Sequence, residues 1–163
     1  MHTTKTKTIK CLIGTVSDTR TVETDKSGQL IKSCIEEAGH HCASHQIVKD
    51  DQAAIEDLLF QGINNLQVDV VILTGGTGIA KRDVTIEVVE RHMEKTIPGF
   101  GEIFRMLSYT EDIGSKAILS RATAGVKRRT AVFALPGSSG AVKLAMERLI
   151  IPELTHLISE LHK

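Results

Sequence analysis

The sequence has no surplus of charge of either sign. Its 163 residues include 20 lysines and arginines and 20 aspartates and glutamates, so the formal net charge at pH 7 is zero with neutral histidine. Nucleic-acid-binding domains normally carry a basic surplus, and the charge balance therefore argues against that class of partner. It leaves room for a small anionic ligand that a local basic patch would hold.

Long apolar runs are also missing. No stretch approaches the roughly 20 apolar residues that a transmembrane helix needs, so the sequence predicts no membrane span. The first eight residues contain two lysines with no apolar segment behind them, which is not the pattern of a secretory signal peptide. We expect residues 1–8 to form a short frayed tail.

Cysteine is scarce and irregularly spaced. The three cysteines are Cys11, Cys34 and Cys42, and no two of them form a C-x-x-C pair. This spacing argues against a zinc ribbon and against a dithiol redox motif. Unpaired cysteines in apolar surroundings are usually small core residues, and a reducing, cytoplasmic location is the simplest prediction.

Several familiar functional motifs are absent. The segment Gly76–Lys81 has lysine where a dinucleotide-binding fingerprint needs its third glycine, and it does not follow the first strand. No Gly-Lys pair occurs, which excludes a Walker A loop. No serine stands in a G-x-S-x-G elbow, so a serine hydrolase is disfavoured. The seven histidines show no H-E-x-x-H or comparable spacing, and we assign none of them to a metal.

What the chain does contain is a regular alternation of strand and helix patterns. Apolar runs predict strands at residues 9–16, 41–48, 68–73 and 130–135, with amphipathic helices between and after them. The run 68–73 is apolar on both faces except for Asp69, as expected for a central parallel strand. The alternation predicts a single α/β domain over residues 1–163, a three-layer sandwich with a mostly parallel central sheet.

Three of the predicted strands end in loops of small polar residues. These loops are Ser17-Asp18, Thr74–Gly78 and Pro136–Gly140. Because the carboxyl ends of parallel strands lie at one edge of the sheet, where open α/β sheets bind ligands, we expect the loops to converge on one site. In the third loop, Ser138 or Ser139 could cap the next helix or donate to a phosphate or carboxylate.

The loop Thr74–Gly78 is the strongest single signal. Gly75, Gly76 and Gly78 allow positive φ and a close approach of the backbone to a ligand. Backbone N–H groups at the start of the next helix favour phosphate, and Arg82 adds positive charge. The alternative is a tight turn without a ligand, which an isolated Gly-Gly-Thr-Gly supports about equally well.

Acidic residues on the same edge could serve chemistry or helix capping. Asp83 could be a magnesium ligand, an orienter of the attacking oxygen, or a helix N-cap, although Thr85 could be that cap instead. Asp50 or Asp51 could be a second carboxylate ligand or the cap of a helix beginning near Gln52. Mg²⁺ typically uses one or two protein carboxylates together with substrate phosphates.

The segment 98–109 contains three of the five aromatic residues, namely Phe100, Phe104 and Tyr109. Aromatic residues, methionine and arginine together are typical of an oligomer interface. An ordinary core helix is the alternative, and the sequence leaves both open.

Several motifs, taken in order, resemble the MoaB/MogA-type molybdopterin-binding family of molybdenum cofactor biosynthesis. They are Thr74-Gly75-Gly76-Thr77-Gly78, Arg82-Asp83-Val84-Thr85, Pro98-Gly-Phe-Gly101-Glu102, Leu119-Ser-Arg121-Ala122 and Leu135-Pro-Gly137-Ser138. The resemblance spans about residues 9–160, and segment 101–108 with the short C-terminal helix is most similar to the MoaB branch. One departure is Ile86, where many members have a proline that would preset the first helical turn.

The resemblance implies an α/β fold with a mainly parallel sheet and a homo-oligomer, either a trimer or a hexamer of two trimers. It also implies a site for molybdopterin, a pterin dithiolene phosphate. Active members of the family transfer AMP from Mg·ATP to the terminal phosphate of molybdopterin and release pyrophosphate.

The same resemblance assigns roles to individual residues. Asp83 matches the family's essential aspartate, and Asp50 matches a second acidic position that helps to hold Mg²⁺. Thr74, Gly75, Gly76, Thr77 and Gly78 would cradle ligand phosphate, and Gly137 and Ser138 would lie near the nucleotide or pterin. Independently of the resemblance, we expect Ser17, at the end of the first strand, and the basic Arg82 to belong to the same binding site.

Two functional hypotheses follow, and a third stays open. The first is an enzyme, a molybdopterin adenylyltransferase that depends on Mg²⁺ and ATP. The second is a carrier that binds molybdopterin without turnover. The third is a different nucleotide-dependent α/β enzyme, because glycine loops recur on many folds.

Overall fold

The computed structural model describes residues 8–163, and the tail predicted at residues 1–8 lies outside this range except for its last residue. The strands are β1 (Lys10–Val16), β2 (His41–Val48), β3 (Val70–Thr74), β4 (Lys95–Thr96), β5 (Thr123–Lys127) and β6 (Thr130–Leu135). The α-helices are α1 (Lys26–Glu37), α2 (Gln52–Ile63), α3 (Thr85–His92), α4 (Pro98–Glu111), α5 (Ser139–Ala145) and α6 (Ile151–Leu161). A 3₁₀ helix covers Gly114–Leu119, and a π-helical turn, Met146–Ile150, joins α5 to α6.

The strands form one six-stranded sheet in the order β2-β1-β3-β6-β5-β4. Strands β2, β1, β3 and β6 run parallel, whereas β5 is antiparallel to both β6 and β4. The predicted α/β sandwich with a mostly parallel sheet is therefore confirmed. The sequence did not predict β4 and β5, because one has two residues and the other is a short mixture of small and polar residues.

Two apolar cores lie on opposite faces of the sheet, since successive side chains of a strand point to opposite sides. Ile13 and Ile72 belong to the core that packs against α1, α4, α5 and α6. Leu12, Val71 and Leu73 belong to the other core, which packs against α2 and α3. Every residue of β3 is buried, so the central strand predicted from its sequence is confirmed.

The π-helical turn changes the prediction of one helix running to about Ile151. Pro152 lies in the first turn of α6, as predicted. Proline has no N–H to donate, and its ring would collide with the carbonyl of Arg148 in a continuous α-helix. The wider turn before α6 relieves that collision.

Helix α4 is amphipathic, with one face in the core and the other exposed, and this bears on whether it is a core helix or an oligomer interface. Phe100 and Phe104 are buried with ring centroids 6.3 Å apart, and Phe100 meets Phe133 edge-on at 5.1 Å. Tyr109, in contrast, is 61% exposed. The two phenylalanines are core residues, and only the outer face of α4 can serve as an interface.

The helix caps show which of the candidate aspartates cap a helix. Asp51 caps α2, and Ser138 caps α5, each by accepting a backbone N–H with its side chain. Helix α3 starts after Val84 with no side-chain cap, so neither Asp83 nor Thr85 has that role. Capping therefore explains Asp51 and leaves Asp50 and Asp83 for another purpose.

Among residues 8–163, no helix combines the length and the apolar character needed to cross a membrane. Cys11, Cys34 and Cys42 are free thiols. The cytoplasmic location inferred from the cysteines stays a prediction.

A buried polar cluster around Asp25 ties the start of α1 to β1 and β2. Asp25 is fully buried, and its Oδ2 accepts from the Thr15 hydroxyl at 2.5 Å and lies 2.8 Å from Nε2 of His45. Its Oδ1 accepts from the N–H of Gly28 at 3.0 Å. Burial acts to raise the pKa of Asp25, but hydrogen bonds from Thr15, Gly28 and His45 outweigh it and hold that pKa below its usual value.

We expect Asp25→Asn to destabilise the fold in a pH-dependent manner. Because the folded-state pKa lies below the unfolded value of 3.8, the carboxylate stabilises the fold fully above that value and loses its contribution as the pH falls through the folded pKa. The loss at pH 7 should be about 2–3 kcal/mol, the range for a buried charged hydrogen-bonding group. Urea unfolding should show this difference from wild type narrowing below roughly pH 4.

The matched control is Asp51→Asn, because Asp51 is exposed and asparagine is an equally good N-cap. We expect a change of less than about 0.5 kcal/mol there. A difference between wild type and Asp25→Asn that stays constant from acid to neutral pH would contradict this account of the cluster.

Two glycines with positive φ provide a second test of the fold. Gly39, after α1, has φ +84°, and a Cβ added there would meet nothing within 4 Å. Gly76, after β3, has φ +66°, and a Cβ there would lie 2.4 Å from Oγ1 of Thr85 and 3.1 Å from Oδ1 of Asp50.

Gly39→Ala should cost about 1 kcal/mol through backbone strain alone. Gly76→Ala should cost roughly 3 kcal/mol, because crowding adds to the strain. Chemical denaturation measures both, and equal losses would show that crowding contributes nothing.

Candidate functional site

The carboxyl ends of β1, β2, β3 and β6 surround one polar cavity of about 520 Å³. The three loops that the sequence predicted to converge all contribute to its wall. Of the predicted site residues, those that line the cavity are Ser17, Asp50, Gly75, Gly76, Thr77, Gly78, Arg82, Asp83, Gly137 and Ser138. The sheet topology thus brings together residues that are far apart in the sequence.

Thr74 is the exception, and its placement corrects the prediction that it helps to cradle a phosphate. It is fully buried, and its hydroxyl donates to the carbonyl of Pro136 at 2.8 Å. The N–H of Gly75 donates to the carbonyl of Leu135 at 2.9 Å. The first bond joins the loop to the second glycine loop and the second joins it to the end of β6, so the loop's free N–H groups begin at Gly76.

Every carbonyl of the segment Gly75–Gly78 is hydrogen-bonded within the protein. The hydroxyl and the N–H of Thr85 donate to the first two carbonyls, at 2.9 and 3.1 Å. Nε and Nη2 of Arg121 donate to the last two, at 3.0 and 2.8 Å. The acceptor groups of the loop are therefore already engaged and do not compete with an anion.

The N–H groups of the same loop are available. Across residues 8–163, no acceptor takes the N–H of Gly76, Thr77 or Gly78. Successive backbone N–H groups of this kind form an anion-binding concavity. Because the loop has free N–H donors and engaged carbonyl acceptors, it favours binding of a phosphate over the alternative, a tight turn without a ligand.

The second glycine loop is held in a similar way. The Ser27 hydroxyl donates to the carbonyl of Gly137 at 2.7 Å. Oγ of Ser138 accepts from the N–H of Ala141 at 3.3 Å, so the structure shows the capping role that was one of its two predicted roles. Because the cap uses the oxygen as an acceptor, the O–H of Ser138 can still donate to a ligand.

The side chain of Asp50 lines the cavity with one carboxylate oxygen that lacks a hydrogen-bond partner among the described residues. Its Oδ1 is buried without a hydrogen-bond partner among residues 8–163. Burial raises the pKa of Asp50 above its usual value, the negative charges of Asp83 and Asp18 raise it further, and Arg82 offsets only part of this. A buried polar atom without a partner needs an explanation, and a cation in the cavity would supply one.

Asp83 closes the turn between the glycine loop and α3. Its Oδ2 accepts from the N–H of Ala80 at 3.0 Å and would lie 2.7 Å from a Cβ on Gly78. Its Oδ1 makes no hydrogen bond within residues 8–163. One oxygen of Asp83 therefore fixes the side chain in the cavity wall, and the other is available to a ligand.

The donor set limits which metal could bind. Within the described part of the chain, no group of three or more His, Cys, Asp or Glu side chains is arranged to hold a metal ion. A cation here would use Asp50 and Asp83 and complete its shell with oxygens of water or ligand. One or two carboxylates with phosphate oxygens is the set that Mg²⁺ typically takes.

Sequence reasoning missed the role of Arg121. The sequence marks this residue only as part of the motif Leu119–Ala122, and 43 positions separate it from the Gly78 carbonyl that it contacts. Arg20 was missed as well, and it lines the cavity with Nη1 3.8 Å from Oδ1 of Asp25. No periodicity or loop composition signals such long-range contacts, and the motif itself was the only available signal for Arg121.

The chain matches a known protein family. The family described as "Probable molybdopterin binding domain" matches residues 12–156. Molybdenum cofactor biosynthesis protein B of Bacillus subtilis (strain 168) is 63% identical over 155 residues, which are 95% of this chain and 91% of that protein.

Solved structures agree with this assignment. A crystal structure of Molybdenum cofactor biosynthesis protein B has a TM-score of 0.94 and 57% identity, covering 96% of this chain and 98% of that chain. The tungsten cofactor synthesizing protein MoaB from Pyrococcus furiosus has a TM-score of 0.85 and 39% identity, covering 96% and 99%. The chain therefore belongs to the MoaB/MogA-type molybdopterin-binding family and is a molybdenum cofactor biosynthesis protein.

Proposed function

We propose that this protein adenylylates molybdopterin, transferring AMP from Mg·ATP to the terminal phosphate of molybdopterin. The observation that carries the proposal is the buried, unpartnered Oδ1 of Asp50, which belongs to the same cavity as Asp83 and the glycine loop. A plain phosphate-binding turn would not need this carboxylate. A site that gathers a cation and several phosphates would.

The reaction needs no covalent intermediate on the protein. A terminal phosphate oxygen of molybdopterin attacks the α-phosphorus of ATP and forms a new P–O bond. The bond from the α-phosphorus to the bridging oxygen breaks, and pyrophosphate leaves with the electron pair. Because the chemistry consists of positioning and charge neutralisation, backbone N–H groups, cations and fixed carboxylates are sufficient catalytic parts.

Each part of the cavity has a role in this scheme. Asp50 and Asp83 would hold Mg²⁺, which when bound neutralises charge on the reacting phosphates. The N–H groups of Gly76–Gly78 would hold phosphate oxygens, and Arg82 and Arg20 would add positive charge at the cavity wall. A volume of about 520 Å³ falls within the usual range of small-molecule sites.

Asp83→Asn and Asp50→Asn should each lower product formation by roughly 10²-fold or more, the scale for losing a group that stabilises transition-state charge. The Asp83 variant should fold, because an amide oxygen at position 83 can still accept from the N–H of Ala80. The Asp50 variant should fold as well, because Oδ1 of Asp50 has no hydrogen-bond partner among residues 8–163 to lose and burial already disfavours its charge. The assay incubates purified protein with molybdopterin, Mg²⁺ and ATP and quantifies the adenylylated pterin. Thermal unfolding of the same samples checks the fold.

Asp51→Asn is the control for this experiment, since Asp51 neighbours Asp50 but caps α2 and does not line the cavity. It should keep full activity. If wild type yields no product under conditions in which an active relative works, and calorimetry shows molybdopterin binding, the carrier hypothesis replaces the enzyme. ATP turnover that is independent of any pterin would support the third hypothesis.

We also propose that the chain works as a homo-oligomer, a trimer or a hexamer. Ile103, Met106 and Tyr109 are spaced by three residues on the outer face of α4 and are 47%, 56% and 61% exposed. Ile118 and Leu119 of the 3₁₀ helix are also exposed. A stripe of large apolar side chains facing water is typical of an association surface.

Replacing both Ile103 and Met106 with glutamate should convert the oligomer to monomers, because burying two unpaired charges would cost more than the interface gains. Sedimentation velocity measures the mass of each species. The control is Leu66→Glu, which adds a charge at the most exposed large apolar residue without touching α4. A monomeric wild type, or a double variant with unchanged mass, would contradict the assigned surface.

A further inference from the structure

We propose that Arg121 is a positioning residue for the phosphate-binding loop, because its guanidinium fixes the carbonyls of Thr77 and Gly78 and so aims the loop's N–H groups at the ligand. The inference deepens the proposed function and rests on it, since the loop is taken to bind substrate phosphate. Arg121 lines the cavity, but its guanidinium donors are engaged with the loop and with Glu87, so it would act through the backbone of the loop.

The contacts of Arg121 use every nitrogen of the guanidinium. Nε donates to the carbonyl of Thr77 at 3.0 Å, and Nη2 donates to that of Gly78 at 2.8 Å. Nη1 and Nη2 both donate to the carboxylate of Glu87, the second of them at 3.1 Å. Nη2 also lies 3.5 Å from the carbonyl of Asp83. A planar fork of this kind holds several acceptors in one fixed geometry.

Arg121 is engaged and neutralised, which distinguishes it from a cation that binds a ligand directly. The hydrogen bond from Arg121 is the main cause that lowers the pKa of Glu87, so both partners are charged at neutral pH. The positive charge is therefore paired inside the protein, and the donors are directed at the loop.

Fixing a carbonyl also fixes the N–H of the next residue, because the peptide group is planar and trans. The carbonyl of Thr77 and the N–H of Gly78 belong to one peptide plane, and the carbonyl of Gly78 shares the next plane with the N–H of Ile79. If either plane flipped, an oxygen would replace a donor in the anion site.

Glycine lowers the energy needed for such flips because it tolerates both signs of φ. In the first half of the loop, Thr85 holds the two planes that carry the N–H groups of Gly76 and Thr77. Arg121 holds the two planes of the second half. The loop thus has two clamps, one from α3 and one from the segment that leads into β5.

The test compares Arg121→Met and Arg121→Lys with Arg148→Met. Arg148 is the matched control because it also pairs with a glutamate, Glu111, at comparable exposure and does not line the cavity. Lysine keeps the charge but cannot reach two carbonyls and a carboxylate at once. If charge alone matters, Arg121→Lys behaves as wild type, and the proposal is overturned.

Two readouts are measured on the free and the pyrophosphate-titrated protein. Amide ¹⁵N order parameters of Gly78 and Ile79 should fall from about 0.85 to below about 0.6 in both Arg121 variants and stay unchanged in Arg148→Met. Pyrophosphate affinity, measured by calorimetry with Mg²⁺, should fall on the order of tenfold to a hundredfold in the Arg121 variants only. Unchanged order parameters in a folded Arg121 variant would overturn the proposal.

The order parameters need no substrate, so they decide this inference even if the protein proves unable to adenylylate molybdopterin. Conversely, active wild type with a loop that stays rigid in both Arg121 variants rejects the inference and keeps the proposed function. If Arg121→Met does not fold, Glu87→Gln serves in its place, because it weakens the hold on the guanidinium while leaving the arginine present. It should lower the same order parameters by a smaller amount, and no change would count against the proposal.

Discussion

The site depends on the orientation of four consecutive peptide planes at the end of the central strand. A glycine loop can present either its N–H groups or its carbonyls, and the difference decides whether it attracts or repels a phosphate. Thr85 and Arg121 hold all four carbonyls of Gly75–Gly78, while Thr74 and the N–H of Gly75 fasten the loop to its neighbour. The parallel sheet places the loop at its carboxyl edge, and these hydrogen bonds fix the loop carbonyls, so the N–H groups of Gly76–Gly78 stay free for an anion.

Asp25, which is fully buried, and Asp50, which has one buried oxygen, differ in how their charges are compensated. Asp25 has its acceptor sites filled by Thr15, Gly28 and His45, and its pKa is lowered, so its charge supports the fold. Asp50 has a buried oxygen without a partner and a raised pKa, so its charge opposes the stability of the fold. A bound cation would compensate this unfavourable charge, and the contrast with Asp25 supports the proposed role of Asp50.

Much of this arrangement was accessible from the sequence, because its signals are local. Apolar periodicity gave the four parallel strands, small residues marked the loops, and the rule that parallel strands end at one edge gave their convergence. The sequence did not predict the antiparallel strands β4 and β5 or the π-helical turn, because their sequences lack a distinct pattern. The choice between capping and chemistry for Asp50, Asp51 and Asp83 also needed the three-dimensional structure, since an aspartate before a helix has the same sequence signature in both roles.

By itself, the sequence determined the α/β class, the order of the glycine loops and, through its motifs, the family. Only the tertiary structure decided that Thr74 is buried, that Oδ1 of Asp50 has no partner among residues 8–163, and that Arg121 donates to the carbonyl of Gly78, 43 residues away. The physical reason is that strand, helix and turn preferences act between near neighbours in the chain. The satisfaction of a buried charge or carbonyl depends on which distant side chain the packed sheet and helices bring within hydrogen-bonding distance.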